Sequence, residues 1–116
     1  MKEFKTYWDN GNERKVFIYQ NDWIRKECFN YSKLGKLTSN ISYNIYGIVK
    51  CVKNYWSDGK TYKNIFTYKS NGNIDSISNY NKSGLNVNII YFNGENVPKY
   101  TNYLNKFGEI EKVEEY

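Results

Sequence analysis

Lysine and aromatic side chains alternate through the middle of this 116-residue chain. The candidate partner-binding residues are Lys50, Lys53, Tyr55, Trp56, Lys60, Tyr62, Lys63 and Tyr68. Cations beside aromatic rings dock on acidic protein surfaces, where the cation steers association and the ring anchors it. The same combination, with Phe66 and Lys69 added, lines grooves that hold single-stranded RNA or DNA. Binding is therefore the chemistry that these residue types favour.

Catalysis lacks its usual groups in this sequence. The chain has no histidine, which removes the commonest general base and every Ser-His or Cys-His nucleophile arrangement. Its two cysteines are too few for a structural zinc site, and no P-loop, dinucleotide-binding or nucleophile-elbow motif is present. We therefore predict a protein that is not an enzyme and that binds neither a cofactor nor a metal.

A rhythm of about twelve residues runs through the whole chain. Tyrosines stand at positions 7, 19, 31, 43, 55, 68, 80, 91, 103 and 116. Most of the eight glycines follow one of these tyrosines by four residues, often within turn signals such as "NG" and "DG". This pattern predicts an all-β fold, an antiparallel β-meander of about nine or ten strands built from 12-residue Tyr-x3-Gly repeats. Residues 1–116 would form a single repeat domain.

The spacing inside each unit predicts the shape of its turn and strand. A two-residue type I′ turn and a type I turn with a G1 bulge both need a positive φ, which glycine adopts cheaply. Apolar residues then recur two, five and eight places after the glycine, as at Val49, Val52 and Tyr55. A step of three fits neither a regular strand nor a helix, so we interpret it as a strand with a bulge or strong twist near its middle. Because successive turns of a meander lie at opposite edges, we expect the tyrosines in two rows.

The predicted strand order also places the two cysteines. Cys28 and Cys51 would lie two strands apart, about 9–10 Å, whereas a disulfide needs α-carbons within about 7 Å. The opening "MKEFKTYWDN" has no apolar leader, and no apolar run is long enough to span a membrane. We therefore expect a reduced, cytoplasmic protein without a membrane partner.

The units "YKSNGNIDSISNY", "YSKLGKLTSNISY" and "YFNGENVPKY" resemble the MORN-variant repeats of YwqK-type antitoxin proteins. They are more loosely similar to the Rhs or YD β-hairpin repeats of toxin-delivery shells. The resemblance covers residues 31–116 well and 1–30 loosely. It implies a β-hairpin architecture and a non-enzymatic protein that binds and neutralises a partner, often a toxin, and it supplies no catalytic residues.

Charge and resemblance together lead to a functional hypothesis. Residues 31–69 carry seven lysines against the single acidic Asp58, within a chain of net charge +5. We expect an inhibitor of the antitoxin or immunity type, or an anti-defence inhibitor from a phage or mobile element. The sheet face between residues 43 and 69 would cover a site on a toxin, effector or defence enzyme, free or loaded with nucleic acid.

The alternative is a single-stranded RNA- or DNA-binding β-sheet module. Carbohydrate binding on the tyrosine rows is a third class, which the missing export signal disfavours. The sequence is compatible with several forms of the sheet. The sheet can be an open single layer, curl into a sandwich or close on itself, and the chain can be a monomer or an oligomer.

Overall fold

The computed structural model describes residues 2–116, and within them it contains ten β-strands and no helix. The strands are β1 (Lys2–Tyr7), β2 (Glu13–Tyr19), β3 (Arg25–Tyr31), β4 (Leu37–Tyr43), β5 (Val49–Tyr55), β6 (Tyr62–Tyr68), β7 (Ile74–Tyr80), β8 (Asn86–Phe92), β9 (Pro98–Leu104) and β10 (Ile110–Glu115). All ten lie in one antiparallel sheet in sequence order. The predicted all-β meander of nine or ten strands is confirmed. None of residues 2–116 belongs to a helix that could span a membrane.

Nine turns alternate between the two long edges of the sheet. The five-turn edge carries turns 8–12, 32–36, 56–61, 81–85 and 105–109, and the four-turn edge carries turns 20–24, 44–48, 69–73 and 93–97. In a typical turn, Gly35 N–H donates to Ser32 O at 3.0 Å and Ser32 N–H donates to Lys36 O at 2.8 Å. Gly35 has a φ of 82°. This is the second of the two expected solutions, a type I turn closed by a residue of positive φ.

Each strand from β2 to β10 carries its bulge at the second residue, beside the turn. In β5, Val49 pairs with Tyr43 and Cys51 pairs with Ser42, which leaves Lys50 as the extra residue. The predicted bulge near the middle of each strand is therefore wrong. Bulges increase local twist, so their regular placement twists both edges of the sheet in the same way.

The step of three has a simple origin in this register. Val52 pairs with Ile41, two residues before Tyr43, so Val52 and Val49 lie on the same face with the bulge between them. Tyr55 follows Val52 by three regular strand positions and consequently points to the other face. The apolar pattern thus combines one bulge with one change of face.

The tyrosines that end the strands form two rows on opposite faces. We call the face that carries Tyr7, Tyr31, Tyr55 and Tyr80 the front face, and this row lies at the five-turn edge. The back face carries Tyr19, Tyr43 and Tyr68 at the four-turn edge. The two expected rows are confirmed. Because side chains alternate along a strand, the two rows also lie on opposite faces of the sheet.

The rhythm slips by one residue in β8 and β9. These strands end at Phe92 and Leu104, so the tyrosines at 91 and 103 precede the strand ends and reverse their faces. The next turn therefore has Asn96, with a φ of 63°, as its left-handed residue, and Gly94 does not have a positive φ. The expectation that Gly94 supplies the positive φ of this turn is wrong. Asparagine tolerates the left-handed region better than most residues, which permits the exchange.

Two parallel rows of side chains run across the back face and join neighbouring strands. One is an apolar row that includes Phe17, Cys28, Ile41, Val52, Phe66, Ile77 and Ile90. The other is a polar row in which Asn54 donates to Asn64 and Asn79 donates to Asn88, both at 2.8 Å. Cross-strand pairs of this kind stabilise a sheet that has no second layer.

The sheet is an open single layer. Its accessible surface is 7728 Å², against about 6,700 Å² for a compact protein of this mass. Its radius of gyration is 16.3 Å, against about 13 Å for a compact domain of this length. Val16 and Cys28 are the only buried hydrophobic residues among positions 2–116, and they retain 7% and 3% of their exposure. Cys28 and Cys51 are free thiols two strands apart, as expected.

Candidate functional site

The β5–β6 hairpin ends in the turn "WSDGKT", which has six residues where the other turns have five. Trp56 N–H donates to Thr61 O at 2.8 Å and closes the turn. The Asp58 carboxylate accepts hydrogen bonds from the amides of Lys60 and Thr61 and from the Thr61 hydroxyl. These bonds, led by that from the Thr61 side chain, lower the pKa of Asp58 to about 2. The turn is thus held by its own side chains.

A neighbouring turn on the five-turn edge supports this hairpin end. Gly59 has a φ of 71°, and a Cβ atom there would lie 3.1 Å from the backbone nitrogen of Leu37 and 3.3 Å from the Lys36 Cβ. The β5–β6 turn therefore packs closely against the start of β4. Such contact fixes the position of the aromatic residues that flank the turn.

Three tyrosine rings form a cluster on the front face beside this turn. The Tyr55 and Tyr62 rings lie 5.3 Å apart, and Tyr80 meets Tyr62 edge-on at 5.7 Å. Lys53 Nζ lies 5.8 Å from the centre of the Tyr62 ring. Burial raises the pKa of Tyr55 and of Tyr80, so both phenols stay neutral at physiological pH. The cluster presents rings and one cation rather than a catalytic base.

The Trp56 ring lies close to two lysines at the same end of the hairpin. Lys63 Nζ is 5.4 Å and Lys82 Nζ is 5.5 Å from the centre of its ring, within the range of cation–π attraction. The Trp56 indole N–H is buried and has no hydrogen-bond partner, whereas the Trp8 indole donates to Tyr31 O at 3.0 Å. The Trp56 side chain consequently makes ring contacts but no hydrogen bond within residues 2–116.

Six of the eight residues predicted from sequence lie together at this end of the sheet. The structure adds two more, and we call the whole set the aromatic–lysine cluster: Lys53, Tyr55, Trp56, Lys60, Tyr62, Lys63, Tyr80 and Lys82. Lys50 and Tyr68 lie at the four-turn edge, and Tyr68 points to the back face. The predicted set therefore does not form one continuous surface.

The two added residues had a signal in the sequence. Turns on the same edge recur every two repeats, so Tyr80 follows Tyr55 by two repeats. Lys82 lies in the turn that follows Tyr80. A search at double the repeat length, rather than among neighbours in sequence, would have found both.

The lysines of the cluster are available to a partner. None of the ion pairs found within residues 2–116 involves Lys53, Lys63 or Lys82. The same part of the chain contains no group of acidic, cysteine or histidine side chains that could hold a metal ion. The arrangement is therefore suited to binding an acidic surface or a phosphate backbone.

No protein-family model matches the chain, and no curated protein sequence matches it. Solved structures do contain similar sheets. The S. aureus TarM G117R mutant in complex with Fondaparinux, alpha-GlcNAc-glycerol and UDP is similar with a TM-score of 0.62 at 10% identity, over 86% of this chain and 19% of that chain. The Glycosylation Associate Protein (Gap123) complex from Streptococcus agalactiae is similar with a TM-score of 0.62 at 13% identity. The likeness covers 97% of this chain and 21% of that chain.

A third similar structure is the GtfA/B complex bound to UDP and GlcNAc, with a TM-score of 0.54 at 24% identity. There the likeness covers 73% of this chain and 19% of that chain. This chain thus spans about a fifth of the length of each protein. At these identities the likeness shows the fold alone. The resemblance to MORN-variant repeats stays a prediction.

Proposed function

We propose that this chain is a non-catalytic docking module that binds an acidic surface of another protein through the aromatic–lysine cluster. The observation that carries the proposal is the position of the Trp56 ring beside both Lys63 and Lys82 at a closely packed hairpin end. Tryptophan and tyrosine rings are common anchors of protein interfaces. Lysines without carboxylate partners would steer the association electrostatically.

The open sheet supports the proposal through its surface area. Its accessible surface exceeds that of a compact protein of the same mass by about 1,000 Å². A standard interface buries about 800 Å² on each partner. One docked protein would therefore remove about four-fifths of the excess.

Two of the structures with a similar sheet are protein assemblies, the Gap123 complex and the GtfA/B complex. Sheets of this shape thus occur in chains that have protein partners. We extend this to the present chain as part of the proposal. The partner itself is defined here by its chemistry, an acidic surface with apolar recesses that accept rings.

The finer proposal is inhibition by steric occlusion. A sheet with principal extents of 46 × 32 × 20 Å is large enough to cover an active-site entrance. The chain would then act as an antitoxin, an immunity protein or an anti-defence inhibitor. Its effect would require no chemistry of its own, only a long-lived complex.

The test is an affinity capture with charge-reversed variants. The variant Lys63→Glu/Lys82→Glu alters both cations beside Trp56, and Lys69→Glu/Lys99→Glu makes the same change of net charge at exposed sites of the four-turn edge. We expect one stoichiometric protein to be captured by the original chain and the control, and lost from the cluster variant. The captured protein should lose activity when the chain is added.

Equal capture by both variants would contradict docking through the cluster. Retained activity of a captured partner would leave docking in place and overturn inhibition. The two parts of the proposal are therefore tested separately.

A second candidate is binding of single-stranded RNA or DNA, favoured by the two lysines beside Trp56. Lys53, Lys60, Lys63 and Lys82 would make four phosphate contacts. With four such contacts, raising the salt concentration from 50 to 200 mM would weaken binding about 50-fold. Fluorescence anisotropy with a labelled 12-mer RNA measures this slope. Binding below micromolar concentrations that follows this slope would favour the nucleic acid, and no binding at 50 mM salt would exclude it.

A further inference from the structure

A cleft lies at the four-turn edge, between the turns that follow β2 and β4. It has a volume of about 430 Å³, within the range of about 300–1,000 Å³ for small-ligand sites. Four rings line it, from Tyr19, Trp23, Tyr43 and Tyr46, together with Arg25. The cleft is separate from the aromatic–lysine cluster, which lies at the five-turn edge.

Arg25 is held in a defined place in this cleft. Its guanidinium carbon lies 4.3 Å from the centre of the Phe17 ring. The neighbouring side chains of Tyr19 and then Tyr43 raise the pKa of Arg25. A guanidinium has five N–H donors in a fixed plane, so donors remain for a ligand.

The guanidinium has no carboxylate partner. Within residues 2–116, no ion pair includes Arg25, and the nearby Asp22 pairs with Lys2 at 3.3 Å. Glu27 is close in sequence, but its place in the register puts it on the front face, whereas Phe17 and Tyr43 lie on the back face. The cleft therefore carries an uncompensated positive charge.

The two turn residues supply exposed rings beside this charge. Trp23 is 89% exposed and Tyr46 is 75% exposed, unusual values for large aromatic side chains. Neither ring stabilises the sheet by burial. A flat apolar group placed between them would cover surface that water now solvates.

We propose that this cleft binds a carboxylate or phosphate group carried on a flat apolar body. The oxyanion accepts hydrogen bonds from the fork of Arg25, and the flat body lies against Trp23 and Tyr46. Arginine is suited to this task because its planar fork matches the oxygens of carboxylate and phosphate. The inference is independent of the docking function proposed for the other edge.

Four probes separate the two halves of the ligand. Phenylacetate and phenyl phosphate carry both the charge and the ring, phenylacetamide keeps the ring without the charge, and acetate keeps the charge without the ring. Binding is followed by NMR, through the Trp23 indole N–H and the backbone amide of Gly47. For ligands of this size we expect a dissociation constant of about 1 mM for at least one of the first two probes. The better of these two identifies the oxyanion.

The variants use the two arginines of the chain as a matched pair. Arg25→Gln should weaken binding by about tenfold, and Arg25→Lys should weaken it severalfold because the fork is lost. Arg14→Gln makes the same charge change at the five-turn edge, where Arg14 lies over Trp8, and should alter binding less than twofold. Trp23→Ala, at an exposed position, should weaken binding severalfold without affecting the fold.

Four results would overturn the inference. These are no shift with 20 mM phenylacetate or phenyl phosphate, equal binding of phenylacetamide, equal loss in Arg14→Gln and Arg25→Gln, or unchanged affinity in Trp23→Ala. The thermal unfolding temperature of each variant shows whether the sheet is intact. If Arg25→Gln unfolds, the comparison of phenylacetate with phenylacetamide on the original chain decides the charge requirement, and Arg25→Lys decides the requirement for the guanidinium fork.

Discussion

The two long edges of this sheet are built from the same repeat and differ in what they expose. The turns of the five-turn edge carry five lysines, at 33, 36, 60, 82 and 106, and the tryptophans beside them are partly buried. The turns of the four-turn edge carry one lysine, Lys69, and expose Trp23, Ile45 and Tyr46. The five-turn edge thus combines many cations with two partly buried tryptophans, and the four-turn edge combines an arginine with an exposed tryptophan and an exposed tyrosine.

The difference shows how a uniform scaffold acquires distinct surfaces. Strand alternation sends the tyrosine rows of β1 to β7 to opposite faces, one row at each edge. The turn sequences then decide the charge beside those rings. A broad interface suits the five-turn edge and a small cleft suits the four-turn edge.

The largest expected effect is a loss of stability on replacing a turn glycine, and it is compared between one glycine from each edge. Gly59→Ala should lower the free energy of unfolding by about 2–3 kcal/mol, because a left-handed φ of 71° is combined with backbone 3.1 Å away. Gly72→Ala has a φ of 90° but meets only the Ile48 side chain at 3.9 Å, so about 1 kcal/mol is expected. Urea unfolding measures both. Equal losses would mean that the turns of the five-turn edge are not packed as described.

A second comparison replaces one tryptophan at each edge. Trp56→Ala should destabilise the sheet by about 2 kcal/mol, since its ring is half-buried and contacts Lys63 and Lys82. Trp23→Ala should change stability by less than about 0.5 kcal/mol because the ring is exposed. Thermal unfolding of the two variants checks this order. A larger loss for Trp23→Ala than for Trp56→Ala would contradict the description of Trp56 as packed and Trp23 as exposed.

The smallest effect is a pH dependence confined to the β5–β6 turn. The pKa of Asp58 is lowered to about 2 in the folded chain, below its ordinary value of 3.8, so its charged form stabilises the fold above about pH 4. That contribution should disappear as the pH falls from about 4 to about 2. Asp58→Asn lacks it, so the stability of the variant and that of the original chain should converge over this range. Urea midpoints at pH 7, 4 and 2 test the convergence, and a constant difference would contradict it.

Much of the fold follows from the sequence because tyrosine and glycine recur at positions where the chain must end a strand and turn. The place of the bulge did not follow, since a step of three fits a bulge at several positions and only the pairing of Tyr43 with Val49 locates it. The sequence also did not show that Asn96, rather than Gly94, has the positive φ of its turn, for a related reason. A one-residue slip of the tyrosine rhythm leaves the turn signal "NG" in place while moving the left-handed position.

The candidate sites divide in the same way. Six residues near the β5–β6 turn were predictable because they are close in sequence. The cleft around Arg25 was not predictable in this way. Trp23 and Tyr46 come from turns two repeats apart, and they line one cleft because those turns are neighbours along the same edge. The separation of Lys50 and Tyr68 from the other predicted residues has the same cause, since neighbouring turns in sequence lie on opposite edges.

Both proposals depend on an open sheet whose edges and faces are accessible in solution. Small-angle X-ray scattering of the monomer tests this most directly through the radius of gyration. The account predicts a value close to the 16.3 Å of the Cα atoms, slightly increased by hydration. A value near 13 Å, expected for a compact domain of this length, would mean that the sheet closes on itself and would contradict the account.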